Sequence, residues 1–336
     1  MADAEGVGIS PSAGPSIVNE FSIVLAAATP VFLLLGVGWI LRLRNWLQPE
    51  ADETLFKLNI HLLTPCLILD NIVGNTAFNH LGNVIVPPLV GFATIGLGLL
   101  AGLLARKWTG LPDTRALRTF AFTVGLYNYG FIPYPLTTAL FDRETLGVMF
   151  VHNVGVEAAI WTLGVMVVSA MDLRRGWKHL LNGPVVAIVL ALTLNRLGVN
   201  LGEKNVLRVS AHMLGLCAIP VGLLQIGATI EEHASEFGLR RRPGDVVWGS
   251  ILRLGLLPMV FLLVARWLPI SVELKRVMVI QAAMPCAVFP IVMTAKYGGD
   301  PVVALRVVMV TSVLGFATMP LWIRFGMRFV GLNGGG

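Results

Sequence analysis

Ten apolar runs separated by short polar connections organise this chain. They cover about 20–41, 52–73, 83–105, 117–140, 145–170, 181–198, 207–230, 246–267, 274–296 and 301–325. A helix needs roughly 20 apolar residues to cross a bilayer, and a tilted barrel strand needs about ten. The runs therefore predict helices, because an open strand or loop facing lipid leaves its backbone polar groups unpaired. The expected fold is an all-α polytopic membrane protein with ten transmembrane helices. Residues 1–19 are rich in Gly, Ser and Pro and hold no Lys or Arg. They lack the basic region of a signal peptide and are expected to form a disordered tail, with a second tail at 328–336.

Composition agrees with the pattern and narrows the class. Hydrophobic residues make up 55% of the chain and charged residues 13%, about half the ~25% of a soluble domain. That excludes a soluble enzyme, a disordered chain and a coiled coil. The net charge of +6 does not indicate a nucleic-acid partner, since no basic stripe interleaved with aromatics is present. The cations cluster in the loops instead. In the first half, nine fall on the side reached after odd-numbered spans and one, Arg143, on the other. By the positive-inside rule this sets both termini outside the cytoplasm, in a multi-pass plasma (inner) membrane protein. Cys66, Cys217 and Cys286 are too few and too scattered for a disulfide framework or a metal site, and no cofactor is expected.

Ten spans divide into five and five across a cytoplasmic loop at 171–183. The halves 20–170 and 184–327 then have opposite orientation, the condition for an inverted repeat. The fourth span carries Asn128-Tyr129-Gly130, then Pro133 and Pro135; the ninth carries Gln281, then Pro285 and Pro290. Proline removes a backbone donor and clashes with the preceding turn, so both helices should break. Matched interruptions in two halves point to a transporter's binding site. Asn128, expected just before the break, offers an amide to a carboxylate or a polar ring, or else an interhelical hydrogen bond.

Ionisable and amide groups inside the spans are the other candidates, since each is costly in lipid. Glu157 shares a helix face with Asn153 and follows His152. It either carries a coupling proton or pairs structurally with Arg306 or Arg253. Lys296 either attracts an anion or anchors at the interface by snorkelling. Asn59 and Gln225, on the second and seventh spans, either bond across those spans or face the substrate. Gly298-Gly299-Asp300 has no second aspartate motif to make an intramembrane protease, and an enzyme built on Glu157 and His152 is not expected. The runs GLGLLAG (96–102) and GVGW (36–39) suggest helix-packing surfaces.

Asn128 to Pro135 resembles the Asn-x-Gly-x-x-x-x-Pro segment of the auxin efflux carrier family, which includes the plant PIN-type carriers and many prokaryotic relatives. Asn153 with Trp161–Gly164, Pro220 with Gly227, Gln281–Pro285, Ala295–Gly298 and Pro65 extend the resemblance over about 20–325. It implies two inverted five-helix repeats, with broken helices four and nine crossing near the midplane. It also implies a scaffold of helices one, two, six and seven, elevator-like efflux of small organic anions, and a homodimer through the scaffold. The short loop after the fifth span suggests a prokaryotic-type member. Pro133 stands where relatives often have Gly, and Phe289 where many carry a polar residue. A sodium-coupled symporter of the bile-acid type is the alternative, weakened by the lack of a carboxylate and hydroxyl cluster.

Overall fold

The computed structural model describes residues 17–111, 113–169, 182–199, 202, 205–232 and 243–332. Most of the first tail, nearly all of the loop 171–183 and the last four residues lie outside them. The long helices are α1 (Ile17–Leu43), α2 (Glu50–Ile72), α3 (Gly82–Leu104), α5 (Arg143–Ser169), α6 (Gly183–Arg196), α7 (Val206–Glu232), α8 (Pro243–Trp267) and α10 (Pro301–Val330). Two further helices are interrupted: α4a (Thr114–Gly125) and α4b (Pro133–Leu140), then α9a (Val272–Ala283) and α9b (Phe289–Lys296). Among the described residues there is no strand, only one isolated bridge between Tyr127 and Cys286. Among the described residues six helices, α2, α3, α5, α7, α8 and α10, are long and apolar enough to cross a membrane. Each apolar run of the sequence falls on one helix or one interrupted pair. The last helix reaches Val330, five residues past the boundary drawn from hydropathy.

The ends follow from local chemistry. Asp142 caps α5 by accepting from the Thr145 N–H at 2.8 Å, and Ser271 caps α9a by accepting from Leu274 at 3.2 Å. Asp113 and Asn182 do the same for α4a and α6. Such caps satisfy N–H groups that the first turn leaves open. Within α2, α5 and α8, single π-turns at Asn59–Leu63, Ile160–Gly164 and Leu252–Leu256 widen the helix. Turns of this kind recur at functional positions.

Two sets of helices pack most extensively among themselves, while α1 also meets α10 and α4b and α2 also meets α5. In one, α1 packs along α7, and α6 and α7 pack on α2; in the other, α3 packs along α5 and α4a, and α9a packs on α5, α8 and α10. Small residues permit the close approach that holds helices together in lipid, where burial adds no hydrophobic drive. A Cβ on Gly155 would sit 1.7 Å from the Pro88 carbonyl oxygen, and one on Gly38 would sit 2.1 Å from that of Leu224. Gly98 and Gly102 press on α4a in the same way, whereas Gly36 has open space around it. Gly155→Val should therefore lower stability by at least the ~1–3 kcal/mol of an overpacked core. Gly36→Ala should be neutral or stabilising by up to ~1 kcal/mol. Thermal midpoints in detergent distinguish the two.

The crossover of two broken helices

The break between α4a and α4b meets the break between α9a and α9b. Tyr127 pairs with Cys286 in an antiparallel bridge. The Asn128 N–H donates to the Pro285 carbonyl at 2.9 Å, and the Ala287 N–H donates to the Leu126 carbonyl at 2.8 Å. Each unwound segment thus satisfies backbone groups of the other, which is how non-helical backbone survives at membrane depth.

The prolines work differently from the expectation. Pro133 opens α4b and Pro290 stands at the second position of α9b. There the missing N–H costs nothing and the fixed φ favours a helix start. The break lies ahead of Pro133, so Asn128, Tyr129 and Gly130 lie inside it, not before it. Pro285 lies inside the second break. The Asn128 side-chain oxygen accepts from the Ile132 N–H at 3.4 Å, and Pro135 continues the first turn of α4b.

Side chains from α5 and α9a grip the first break. Asn153 donates through Nδ2 to the Tyr129 carbonyl at 2.8 Å and to the Tyr134 hydroxyl at 3.1 Å. Gln281 donates through Nε2 to the same carbonyl at 3.2 Å and to Asn153 Oδ1 at 3.3 Å. His152 Nδ1 lies 3.3 Å from Asn153 Oδ1 and donates to that oxygen in the tautomer that carries the proton on Nδ1. His152 Nε2 and Gln281 Oε1 are buried without a hydrogen-bond partner. Buried polar atoms are nearly always paired, so these two are costly where they stand.

Glu157 lies one turn beyond Asn153 on the same face of α5. Its carboxylate accepts from the Tyr129 hydroxyl at 2.5 Å, from Trp161 Nε1 at 3.0 Å and from Asn182 Nδ2 at 3.4 Å. It does not pair with an intramembrane arginine. Arg306 pairs with Asp245 at 3.1 Å, and Arg253 donates to the Ala282 carbonyl. Tyr129, Gly130, Glu157, Trp161, Asn182 and Phe289 keep partial exposure, whereas Asn128, Asn153 and Gln281 are buried. The Phe289 and Trp161 rings meet edge to face, 6.0 Å apart. Phe131, in the first break, lies against Gly222 of α7, where a Cβ would come within 2.3 Å of its ring.

Other candidates lie elsewhere. Asn59 donates to the Ala218 carbonyl at 3.0 Å and accepts from Thr64; Gln225 donates to the Asp52 carbonyl at 3.1 Å. Both tie α2 to α7 and neither reaches the crossover. The Lys296 side chain is outside those described. A cavity of about 280 Å³ lies at the seam between the helix groups, lined by Asp70, Arg143, Arg208 and His212 with Thr138 and Asp142 among others.

Sequence reasoning missed Tyr134, Trp161 and Asn182 as members of the site. Trp161 stands four residues after Glu157, the spacing that brings two side chains together on a helix. Asn182 precedes Gly-Pro, which marks a helix cap.

Beside the cavity, Asp142 joins α5 to α9a through Arg276 Nη1 at 2.5 Å. Burial alone would raise its carboxyl, but bonds from Thr145 and the Arg276 charge hold it below the usual carboxylate range. A depressed folded-state value adds stability above the unfolded value, and that stability is lost as pH falls through the folded one. Wild type should exceed Asp142→Asn in thermal midpoint at neutral pH. The difference should shrink below about pH 4; a constant difference would show that the ion pair contributes nothing.

A family model described as "Membrane transport protein" matches residues 23–173 and 165–323. An "Uncharacterized transporter" of Methanothermobacter thermautotrophicus is 24% identical over 302 residues, covering 87% of this chain and 95% of that protein. One from Methanocaldococcus jannaschii shows the same identity and coverage.

Proposed function

This chain belongs to the membrane transport protein family, the prokaryotic type of auxin efflux carrier, and from that premise we propose that it is a secondary transporter for a small organic anion or amphipathic carboxylate. The single observation that carries the reading is the crossover itself. Two helix breaks are paired backbone to backbone, with amides from α5 and α9a closing on one of them. Breaks in the fourth and ninth helices support ten spans in two inverted five-helix repeats. Partly exposed Tyr129, Trp161 and Phe289 would receive the apolar body of the substrate. Asn128 would receive its carboxylate, and Glu157 would carry the coupling proton.

The two packing groups support an elevator motion. Helices α1, α2, α6 and α7 would be the scaffold and the dimer surface. The remaining helices would slide past them, with Phe131 moving over Gly222. In a plasma membrane with both termini outside, the charged cavity at the seam would be the outer vestibule.

Reconstitution into proteoliposomes tests the reading with a panel of labelled phenylacetate, benzoate, lactate and malate. The expected result is saturable flux of at least one, driven by its own gradient, by potential or by a pH gradient. Flux that requires a sodium gradient would favour the bile-acid type of symport. Non-saturating flux would indicate a channel, and no flux of any member would refute the proposed substrate class.

A further inference from the structure

Arg253 is a buried charge that the proposed site leaves unused. It stands on the π-turn of α8 and is fully buried, 0% exposed. It makes one hydrogen bond, from Nη2 to the Ala282 carbonyl at 3.2 Å, and its Nε and Nη1 have no hydrogen-bond partner. It forms no ion pair with any acid among the described residues. Asp245, on the same helix, pairs with Arg306, and Glu157 is held by Tyr129, Trp161 and Asn182. The guanidinium carbon lies 5.1 Å from the centre of the Tyr127 ring and 5.3 Å from that of Phe261. Arg253 thus touches both halves of the crossover, Tyr127 on one break and Ala282 at the edge of the other. An arginine buried without an acid is costly unless something compensates it.

We propose that Arg253 is the fixed counter-charge that makes the crossover select a monoanion over its neutral analogue. The inference rests on the crossover being the substrate site. Two carbonyl ends meet there, at Gly125 and Ala283, and both are negative. The facing amide ends offer few open N–H groups: Pro133, Pro135 and Pro290 have none, and those of Tyr134 and Ile291 donate to the Gly130 and Val288 carbonyls. Arg253, bonded at one carbonyl end, offsets the negative pair. It is then the full positive charge that makes the break at Asn128, Tyr129 and Gly130 attractive to an anion. Arg253 is a positioning residue: its field reaches the ligand through Tyr127 and the bridge, in a medium where salt screens little.

The test uses full-length wild type, Arg253→Lys, Arg253→Gln and Arg253→Met in proteoliposomes. The probe is whichever carboxylate of the panel the wild type moves best, against its primary amide as competitor. Wild type should prefer the carboxylate at least about tenfold, and Arg253→Lys should stay within about threefold of it. The two neutral variants should weaken carboxylate KM by about 10- to 100-fold and leave amide inhibition unchanged. The thermal midpoint of Arg253→Met should not fall, because it removes a buried charge that has no acid beside it and is costly to keep there. Neutral variants that keep the carboxylate preference would overturn the proposal. So would neutral variants that fail to fold while Arg253→Lys folds, because the charge would then serve the fold. Absence of saturable flux in the wild type itself would instead refute the transport reading on which the inference stands.

Discussion

Asn153→Ala should reduce saturable carboxylate flux by at least about a hundredfold, a loss of ~2.7 kcal/mol in the transport step. No other side chain holds as much of the crossover. Its amide supports the Tyr129 carbonyl and the Tyr134 hydroxyl, and its oxygen receives Gln281 and His152. Truncation leaves several buried groups without partners, and each costs ~1–3 kcal/mol. The thermal midpoint should therefore fall as well. Asn153→Asp separates the two effects. It keeps volume and acceptor but removes both donors, so it should fold and still lose most flux. Asn153→Asp with full flux would mean that the grip on the Tyr129 carbonyl is not needed for transport.

Glu157→Gln should abolish the pH dependence of transport while leaving exchange of substrate across the membrane. The carboxylate meets the first break through Tyr129 and the start of α6 through Asn182. One carboxylate therefore touches both the proposed mobile group and the proposed scaffold. If it carries one proton per cycle, a one-unit pH gradient is worth ~1.4 kcal/mol. That corresponds to about tenfold accumulation in wild type and none in Glu157→Gln. Tyr129→Phe removes the shortest bond to that carboxylate and should shift the pH at half-maximal flux without abolishing coupling. Accumulation in Glu157→Gln equal to that of wild type would remove Glu157 from the coupling path.

Much of this was legible in the residues because lipid permits so few solutions. Long apolar runs fixed where helices lie, whereas the caps at Asp142 and Ser271, which set where two of them begin, came only from the structure. Matched proline pairs located both interruptions, since proline in a helix interior removes a backbone donor. Their exact role was not legible. A proline can break a helix or open one, and only the partners of the freed backbone decide. Here Asn128 and Ala287 find carbonyls on the opposite break, so each helix stops early and restarts at its prolines.

Partners distant in sequence were the harder part. That Asn153, Gln281 and Tyr129 converge depends on how α5 and α9a meet, which no single helix face states. Glu157 was identified as costly and therefore important, but its three donors come from the fourth helix, its own helix and the sixth. Asn59 and Gln225 illustrate the opposite case. Their type and depth fitted either a ligand role or a bond between the second and seventh spans, and each in fact bonds a backbone carbonyl across the α2 and α7 contact.

The most direct test asks whether a transported carboxylate occupies the first break. Gly130 is partly exposed, and the nearest atoms to a Cβ there belong to the Tyr134 side chain at ordinary contact distances, 3.6 Å or more. Gly130→Cys can be made with Cys66, Cys217 and Cys286 replaced by alanine, and its alkylation by a small maleimide timed in proteoliposomes. A carboxylate that the protein transports should slow alkylation in a saturable way, at concentrations near its KM, while its amide should not. Alkylation unaffected by a carboxylate that still crosses the membrane saturably would contradict the crossover as the substrate site.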